Sequence, residues 1–388
     1  MPGPIKALRI CNLMIGGALT SSQLQTLLND AATAGAFGVA MQQRTLVNAI
    51  SANSSARSAV GSSGTALSAI AAGDMSTTKF VSGLSGADPA RYFALTDVLQ
   101  DSTVMTPAVS VVVAMNLIAA NARARSIIGT SGAAWNAITG VSAAVGKYLI
   151  GLAGLDPTAY ADMSAVVASS TAMTAISANT LASTAMAASS VAMTAVAGSS
   201  AAMAIVVASS TAMTAIAASS IASTAMAASS TAMTAVIGNS SALTTVINSS
   251  TAMTAIAANT IAKMAFFNSD TALNALAASA TAMAAFRAAA QYALLSATEN
   301  GTTSVSLAWA GSAYIVLGGS HNTTQTRTAT ISTRRTGSAI AATIATSGTS
   351  STTGTDVNCA IPVNSAYSFL LNGTGAFTFY FGALRCDV

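Results

Sequence analysis

A ten-residue pattern of apolar and polar positions repeats along the middle of the chain. Between residues 161 and 290 the sequence divides into successive decapeptides such as TAMTAISANT, VAMTAVAGSS and TAMTAIAASS. Position six of each unit and position three of most units carry large apolar side chains, and positions nine and ten are nearly always Ser, Asn or Thr. One short unit generated this part of the chain, which predicts a repeat architecture.

The spacing of the large apolar residues predicts α-helix. Residues three apart lie on one face of a helix, Ala and Met favour helix, and the polar pair supplies an N-cap. The large residues at position three are Met163, Met173, Met193, Met203, Met213, Met233, Leu243, Met253, Leu273 and Met283. Those at position six are Val166, Ile176, Met186, Val196, Val206, Ile216, Met226, Val236, Val246, Ile256, Phe266, Leu276 and Phe286. We expect both positions to fill the core.

A single long helix does not fit a ten-residue unit. Ten residues at about 100° each leave the apolar stripe roughly 80° behind after every unit, so no fixed seam survives. Short helices that end at each polar pair remove this conflict, although such helices are unstable alone. The sequence therefore predicts an elongated, solenoid-like body of short stacked α-helices, with the regular repeats at 161–298. A β-solenoid body is the alternative, although Ala is depleted in strands.

Weaker copies of the decapeptide extend toward the N-terminus. Residues 45–160 carry degenerate helical repeats, which two proline-containing stretches near 84–106 and 150–160 interrupt. Residues 1–44 show no clear copy of the unit, so we treat them as a separate N-terminal region.

The pattern changes near Glu299. Short segments follow, several of which alternate apolar and polar residues between clusters of Gly, Asn and Ser. This pattern is typical of an antiparallel β-sandwich or small barrel of about seven strands, and we predict a small C-terminal antiparallel β-sandwich at 299–388. The chain as a whole is predicted to be α+β. Its C-terminal aromatic residues, most of them expected in the core or between subunits, are Trp309, Tyr314, Tyr367, Phe369, Phe377, Phe379, Tyr380 and Phe381.

Side chains suited to catalysis or metal binding are scarce. The chain has 15 Lys and Arg, 11 Asp and Glu and one His, so charged residues make up 7% of it, against roughly 25% in ordinary domains. Acid–base chemistry needs paired titratable groups, and transition metals need clustered His or Cys. We therefore predict no enzyme, catalytic residue, cofactor or metal site. We expect His321, which lies in a polar segment, to be an ordinary surface histidine.

The net charge of +4 comes from scattered residues rather than from a basic stripe, which predicts no nucleic-acid partner. The apolar run near Val104 contains Pro107 and Asn116, so it is a poor spanning helix and the chain is not expected to insert into a membrane. No CxxC pair is present, and the sequence leaves open whether Cys359 and Cys386 pair.

A long stretch of the repeat is uncharged. No charged residue lies between Met163 and Ala262. A neutral, Ala-rich surface of this kind has little protection against association. The sequence therefore predicts symmetric self-association, for which we favour a three-fold axis.

Tandem SSTAMTAIAA-like decapeptides followed by a β-rich region resemble the Ala/Ser-rich repeat regions of tail fibre proteins from tailed bacteriophages. The resemblance covers residues 161–290 and, more loosely, 45–148. It implies a homotrimeric structural fibre of the virion. Residues 1–44 would then be an N-terminal attachment region that binds other virion proteins, and the C-terminal domain would bind a host surface receptor. The resemblance carries over no catalytic residues.

Other functions remain alternatives. The two alternatives to a tail fibre are a capsid-decorating head fibre and a bacterial surface adhesin. An ice-binding protein would need a flat array of Thr at fixed positions, but Thr here alternates irregularly with Ser and Ala at positions one and four. A hydrolase in the C-terminal domain would need clustered carboxylates, whereas the aspartates there are Asp356 and Asp387.

Overall fold

The computed structural model describes residues 3–130, 132–300, 303–325, 327–331, 335–340, 343–346, 351–353, 357–372 and 376–387. The chain forms two compact units, Met1–Val196 and Ala197–Val388. Within the described residues it is mostly helical, with one antiparallel sheet region at the C-terminal end. The predicted α+β class is confirmed. The β-solenoid alternative is wrong, because residues 163–287 form helices and no strand within the described ranges.

The helices are short throughout. Those that begin in the first unit are α1 (Gly3–Ile15), α2 (Ser21–Leu28), α3 (Ala31–Ala40), α4 (Arg44–Ala52), α5 (Ser54–Gly61), α6 (Gly64–Ala71), α7 (Asp74–Leu84), α8 (Leu95–Gln100), α9 (Ser102–Ala108), α10 (Val112–Ala120), α11 (Ala122–Ile128), α12 (Gly132–Thr139), α13 (Ser142–Leu152), α14 (Met163–Ala168), α15 (Ser170–Ala178), α16 (Thr180–Ala187) and α17 (Ser190–Gly198). The second unit continues with α18 (Ser200–Ala208), α19 (Ser210–Ala218), α20 (Ser220–Ala227), α21 (Ser230–Gly238), α22 (Ser240–Ile247), α23 (Ser250–Ala258), α24 (Thr260–Phe267), α25 (Asp270–Ala278) and α26 (Ala280–Arg287).

Each regular decapeptide forms one helix, and from α15 onward that helix is capped by the polar residue at position nine of the preceding decapeptide. The hydroxyl of Ser209, for example, accepts from the backbone N–H of Ala212 at 3.2 Å. Asn239 does the same for α22, and its amide oxygen accepts from the N–H of Ala242 at 3.0 Å. The cap satisfies one of the unpaired N–H groups of the first turn. The predicted pattern of a cap and a short helix in each unit is confirmed.

Positions three and six are buried, as predicted. In α19, Met213 is 1% exposed and Ile216 is fully buried. The alanines at positions two and seven, Ala212 and Ala217, are buried as well. Positions one, four, eight and ten of the repeat remain exposed in most decapeptides. The buried face therefore combines two large side chains with two small ones, and the small ones permit close approach between helices.

Each helix of the second unit contacts the helix that comes three later. These pairs are α18–α21, α19–α22, α20–α23, α21–α24, α22–α25 and α23–α26. Consecutive helices turn sharply at the cap, by 101° between α18 and α19 and by 99° between α20 and α21. The hydroxyl of Ser249, which caps α23, also donates to the carbonyl oxygen of Ala217 in α19. The same serine hydroxyl thus caps the start of one helix and binds the last turn of an earlier helix.

The first unit also contains helices in the N-terminal region, whose structure the decapeptide pattern does not predict. Residues 3–40 form α1, α2 and α3. Thr20 begins α2 with a capping box to Gln23, and the carboxylate of Asp30 caps α3. The two proline-containing stretches form short 3-10 helices, η1 (Pro89–Arg91) and η2 (Pro157–Ala159).

The described strands form one six-stranded antiparallel sheet. They are β1 (Tyr292–Asn300), β2 (Thr303–His321), β3 (Arg327–Ile331), β4 (Thr343–Thr346), β5 (Val357–Asn372) and β6 (Ala376–Arg385), and their order is β1-β6-β2-β5-β3-β4. Alternate residues of β6, namely Phe377, Phe379 and Phe381, are buried in a core that includes Ile361 of β5 and Ile344 of β4. This alternation is the period-two burial expected of a strand with one covered face.

The strand pattern differs from the sequence prediction in two ways. The last helix ends at Arg287 and β1 begins at Tyr292, so the change to strand comes before residue 299. Residues 302–310 and 312–320 have the sequence pattern of two short strands separated by Gly311, but most of them belong to one long strand, β2. A register shift between Ala308 and Ala313 allows β2 to continue there, since a bulge accommodates unpaired residues.

Candidate functional site

A buried lysine holds a proline-containing loop in the first unit. The Nζ atom of Lys147 in α13 donates to the carbonyl oxygens of Pro157 at 3.0 Å and Tyr160 at 2.9 Å. The carboxylate of Asp156 caps the loop by accepting from the N–H of Thr158 at 2.8 Å. Burial lowers the pKa of Lys147, and the nearby charge of Asp156 opposes that shift. The ammonium therefore serves as a structural donor to the loop.

A second lysine holds a second loop in the same way. Lys79 in α7 is fully buried, and its Nζ donates to the carbonyl oxygens of Pro89, at 2.6 Å, and Tyr92. The ring of Phe93 lies 5.1 Å from this Nζ and 5.3 Å from the guanidinium of Arg44. Burial lowers the pKa of Lys79 too. Each lysine precedes its proline by 10 residues and its tyrosine by 13.

The two loops belong to a duplicated segment that the decapeptide analysis missed. KFVSGLSGADPARY begins at Lys79 and KYLIGLAGLDPTAY begins at Lys147. The two segments share the pattern K-[FY]-x2-G-L-x-G-x-D-P-x2-Y. They lie where the ten-residue repeat is interrupted, and several positions differ between them, so a search for decapeptides does not find them. Its glycines have a structural cause: a Cβ at Gly151 would lie 2.1 Å from the carbonyl oxygen of Ala119, and Gly154 has a φ of +79°.

In the second unit, one carboxylate ties α25 to a loop of the sheet region. Asp270 accepts from the guanidinium of Arg335, from the hydroxyl of Ser338 at 2.8 Å and from the N–H of Ala339 at 2.6 Å. Burial alone would raise the pKa of Asp270, but these hydrogen bonds and the charge of Arg335 hold it below its ordinary value. The backbone N–H of Arg335 also donates to the carbonyl oxygen of Pro362 in β5 at 2.8 Å.

Two further cations of the last helices bind backbone oxygens of the sheet region. Lys263 in α24 donates to the carbonyl oxygen of Arg385 at 3.2 Å and to Gln291 at 3.4 Å. The guanidinium of Arg287 in α26 donates to the carbonyl oxygen of Leu317 in β2 at 2.9 Å. Lys263, Asp270 and Arg287 together fix the sheet to the end of the helical repeat.

His321 is buried rather than exposed, so its prediction as a surface histidine is wrong. It is the last residue of β2, and its ring centre lies 6.3 Å from that of Phe379. Its Nδ1 accepts from the backbone N–H of Thr323 at 3.3 Å, and its carbonyl oxygen accepts from the N–H of Ser351 at 2.8 Å. The strand extends through Gly318 and Gly319 to His321, and Phe379 of β6 lies near the ring, which the local sequence did not indicate.

Most of the described aromatic residues of the C-terminal region are buried, as expected for a core. Phe377, Phe379, Phe381 and Tyr314 are at most 6% exposed, whereas Tyr380 is half-buried. The side chains of Trp309, Tyr367 and Phe369 and all of Asp356 lie outside the described residues. The described aromatics therefore stabilise the sheet and do not form an exposed stacking surface.

All three cysteines are free thiols. Cys359 donates to the carbonyl oxygen of Val316 at 3.4 Å, and Cys386 is fully buried. Burial raises the pKa of Cys11, Cys359 and Cys386 to about 12 in each case. A thiol with such a pKa is a poor nucleophile at neutral pH.

No group of three or more His, Cys, Asp and Glu that could hold a metal ion occurs in the described part of the chain. Within the same ranges no single helix is long and apolar enough to cross a membrane. Four pairs of consecutive helices reach that length together, but each pair is bent by between 96° and 111°.

Comparisons with known proteins add no assignment. No family model matches this chain, and a search of curated proteins finds no match. The polar clusters described above, around Lys79, Lys147, Lys263 and Asp270, all bind the chain's own backbone or side chains. Their chemistry is structural, which leaves the exterior of the helical repeat and of the sheet as candidate functional surfaces.

Proposed function

We propose that this protein is a self-associating structural fibre of a tailed bacteriophage virion. The observation that carries the proposal is the helical repeat from Met163 to Ala262, which has no charged residue on its exterior. Each of its helices is too short to be stable alone, so the repeat depends on packing between neighbours. A long neutral surface built in this way suits association with further copies of the chain, and we favour a homotrimer.

Packing in the second unit supports a solenoid-like stack as the architecture of the repeat body. Every helix from α18 to α23 contacts the one three later. The cap hydroxyls of Ser229, Ser249 and Ser279 each donate to a carbonyl oxygen 32 residues earlier. The same bond, with the same span of 32 residues, therefore joins three pairs of helices along the stack.

The sheet's contacts support a two-layered C-terminal sandwich. Two strands separate β4 from β2 in the sheet order, yet these strands contact each other. A Cβ at Gly319 of β2 would lie 3.0 Å from Ile344 of β4. A sheet whose edge returns over its own middle encloses a core between two layers.

The proposed roles of the two ends follow the resemblance to tail fibres. Residues 1–44 would bind other virion proteins, and the C-terminal domain would bind a host surface receptor. The hydrogen bonds of Lys263, Asp270 and Arg287 support this arrangement, because a receptor-binding domain must stay attached to its fibre under load.

Two measurements test the proposal on the full chain. Sedimentation at micromolar concentration should give three times the chain mass of 38.0 kDa, and a strictly monomeric species would contradict self-association. Gold labels at the C-terminus, imaged on particles, should lie at the distal end of an appendage. Labels buried against the particle body would contradict the host-facing orientation.

A further inference from the structure

The repeat in the second unit exposes isoleucine at two equivalent positions. Ile221 in α20 and Ile261 in α24 both occupy position one of their decapeptide and are 43% and 44% exposed. Thr211, Thr231 and Thr251 occupy the same position in α19, α21 and α23. Isoleucine at these two positions leaves apolar surface exposed where the neighbouring helices present a threonine hydroxyl.

Shallow grooves lie between the helices that carry these isoleucines and the helices that pack against them. The groove between α21 and α24 has a volume of about 560 Å³, and its lining includes Ile237, Ile261 and Ala265. The groove between α20 and α23 has a volume of about 450 Å³ and is lined by hydroxyls, including those of Thr224 and Thr254. We call the surface formed by positions one, four, five and eight of α20, α21, α23 and α24 the groove face.

In the first unit, loops of the chain itself cover positions four, five and eight of a helix. Positions four, five and eight of α13 are Gly146, Lys147 and Ile150, and all three are buried. The loop after α13 contacts this helix, and Lys147 binds the loop's carbonyl oxygens. The loop after α7 contacts its helix in the same way. No such loop follows α20, α21, α23 or α24, because each next helix begins directly after the cap.

The absence of charge on the groove face limits the kind of partner that can bind it. The face carries no charged side chain, so it offers nothing to a charged partner and gives no repulsion to a neutral one. A second copy of this chain presents the same neutral surface, with the same protruding isoleucines and the same grooves. We propose that the groove face binds a second copy of this chain, with Ile221 and Ile261 as its apolar contacts. This inference rests on the self-association proposed above and assigns its surface.

The repeat itself supplies the test variant. In Ile221→Thr/Ile261→Thr both residues become the threonine that the neighbouring decapeptides carry at the same position. Burial of each isoleucine contributes on the order of tenfold in affinity, so the dissociation constant from sedimentation should rise about hundredfold. The matched control is Val39→Thr, which removes an aliphatic residue of the first unit that is 69% exposed and should leave the constant unchanged.

The outcomes separate this inference from the proposed function. A native chain that is monomeric overturns both. A native chain that associates, with a double variant that associates equally well, overturns the groove face and leaves self-association intact. Circular dichroism checks the fold of each variant. Should the double variant unfold, Thr254→Lys places one charge at an exposed position of the same face. This substitution should also weaken association, and unchanged association would equally overturn the inference.

Discussion

Replacing Ser249 by alanine should destabilise the repeat more than an ordinary lost N-cap does. The Ser249 hydroxyl has two roles: it accepts from the N–H of Ala252 at 3.2 Å and donates to the carbonyl oxygen of Ala217. That carbonyl belongs to the last turn of α19, where helix geometry provides no partner, and Ala217 is only 4% exposed. Alanine at position 249 leaves both groups unpaired.

The size of the effect follows from these two bonds. Loss of a serine N-cap costs about 1 kcal/mol, and a buried carbonyl left without a donor costs about 1–3 kcal/mol. The free energy of unfolding should therefore fall by about 2–4 kcal/mol for Ser249→Ala. Ser269 is the matched control, because it caps α25 through the N–H of Ala272 at 3.2 Å, and no bond from its hydroxyl to an earlier helix is found among the described residues. Ser269→Ala should cost about 1 kcal/mol.

Urea unfolding followed by circular dichroism at the helix band measures both variants, with linear extrapolation to water. The difference between the two serines matters more than either value, because a shared error in the extrapolation cancels. Equal losses for Ser249→Ala and Ser269→Ala would refute the reasoning, since they would show that the bond between α23 and α19 contributes nothing.

Three further substitutions test other parts of the structure. Lys147→Met leaves the carbonyl oxygens of Pro157 and Tyr160 without their donor, so limited proteolysis should cut this loop faster than in the native chain; unchanged cleavage would contradict the holding role of Lys147. Met253→Ala removes a fully buried side chain and should lower the free energy of unfolding by about 2–5 kcal/mol; a loss near zero in urea unfolding would mean that position three is not packed. The pKa of Asp270 is lowered in the folded chain, so its stabilisation is complete above the ordinary value of about 4 and is lost as the pH falls through the folded pKa. Asp270→Asn should flatten stability against pH in that acid range, and a profile identical to that of the native chain would count against the hydrogen bonds assigned to Asp270.

The decapeptide was predictable because its determinants are local. In α19, for example, the N-cap Ser209 directly precedes the helix that contains the buried pair Met213 and Ile216. The spacing of these residues alone specifies which face is buried. The same reasoning predicted an antiparallel C-terminal region from alternation. It did not predict that β2 continues past Gly311, because a register shift depends on the partner strand β5.

The buried polar residues were beyond this kind of reasoning. A lysine in a helix suggests an exposed side chain, and only the returning loop shows that Lys79 is buried. His321 was assigned to the surface because its neighbours in sequence are polar, whereas its ring lies near Phe379 of β6 and its carbonyl oxygen accepts from the N–H of Ser351. In both cases the deciding contacts are distant in sequence. The duplicated segments of Lys79 and Lys147 were detectable by comparison of the chain with itself.

Because every unit brings its own cap and its own core residues, the repeat can gain or lose units without new sequence. Removal of three decapeptides, for instance residues 230–259, would place Ser229 before Thr260, which already begins a helix, and would keep the pairing of each helix with the one three later. The number of decapeptides can therefore change while the sheet and the N-terminal helices keep their sequences.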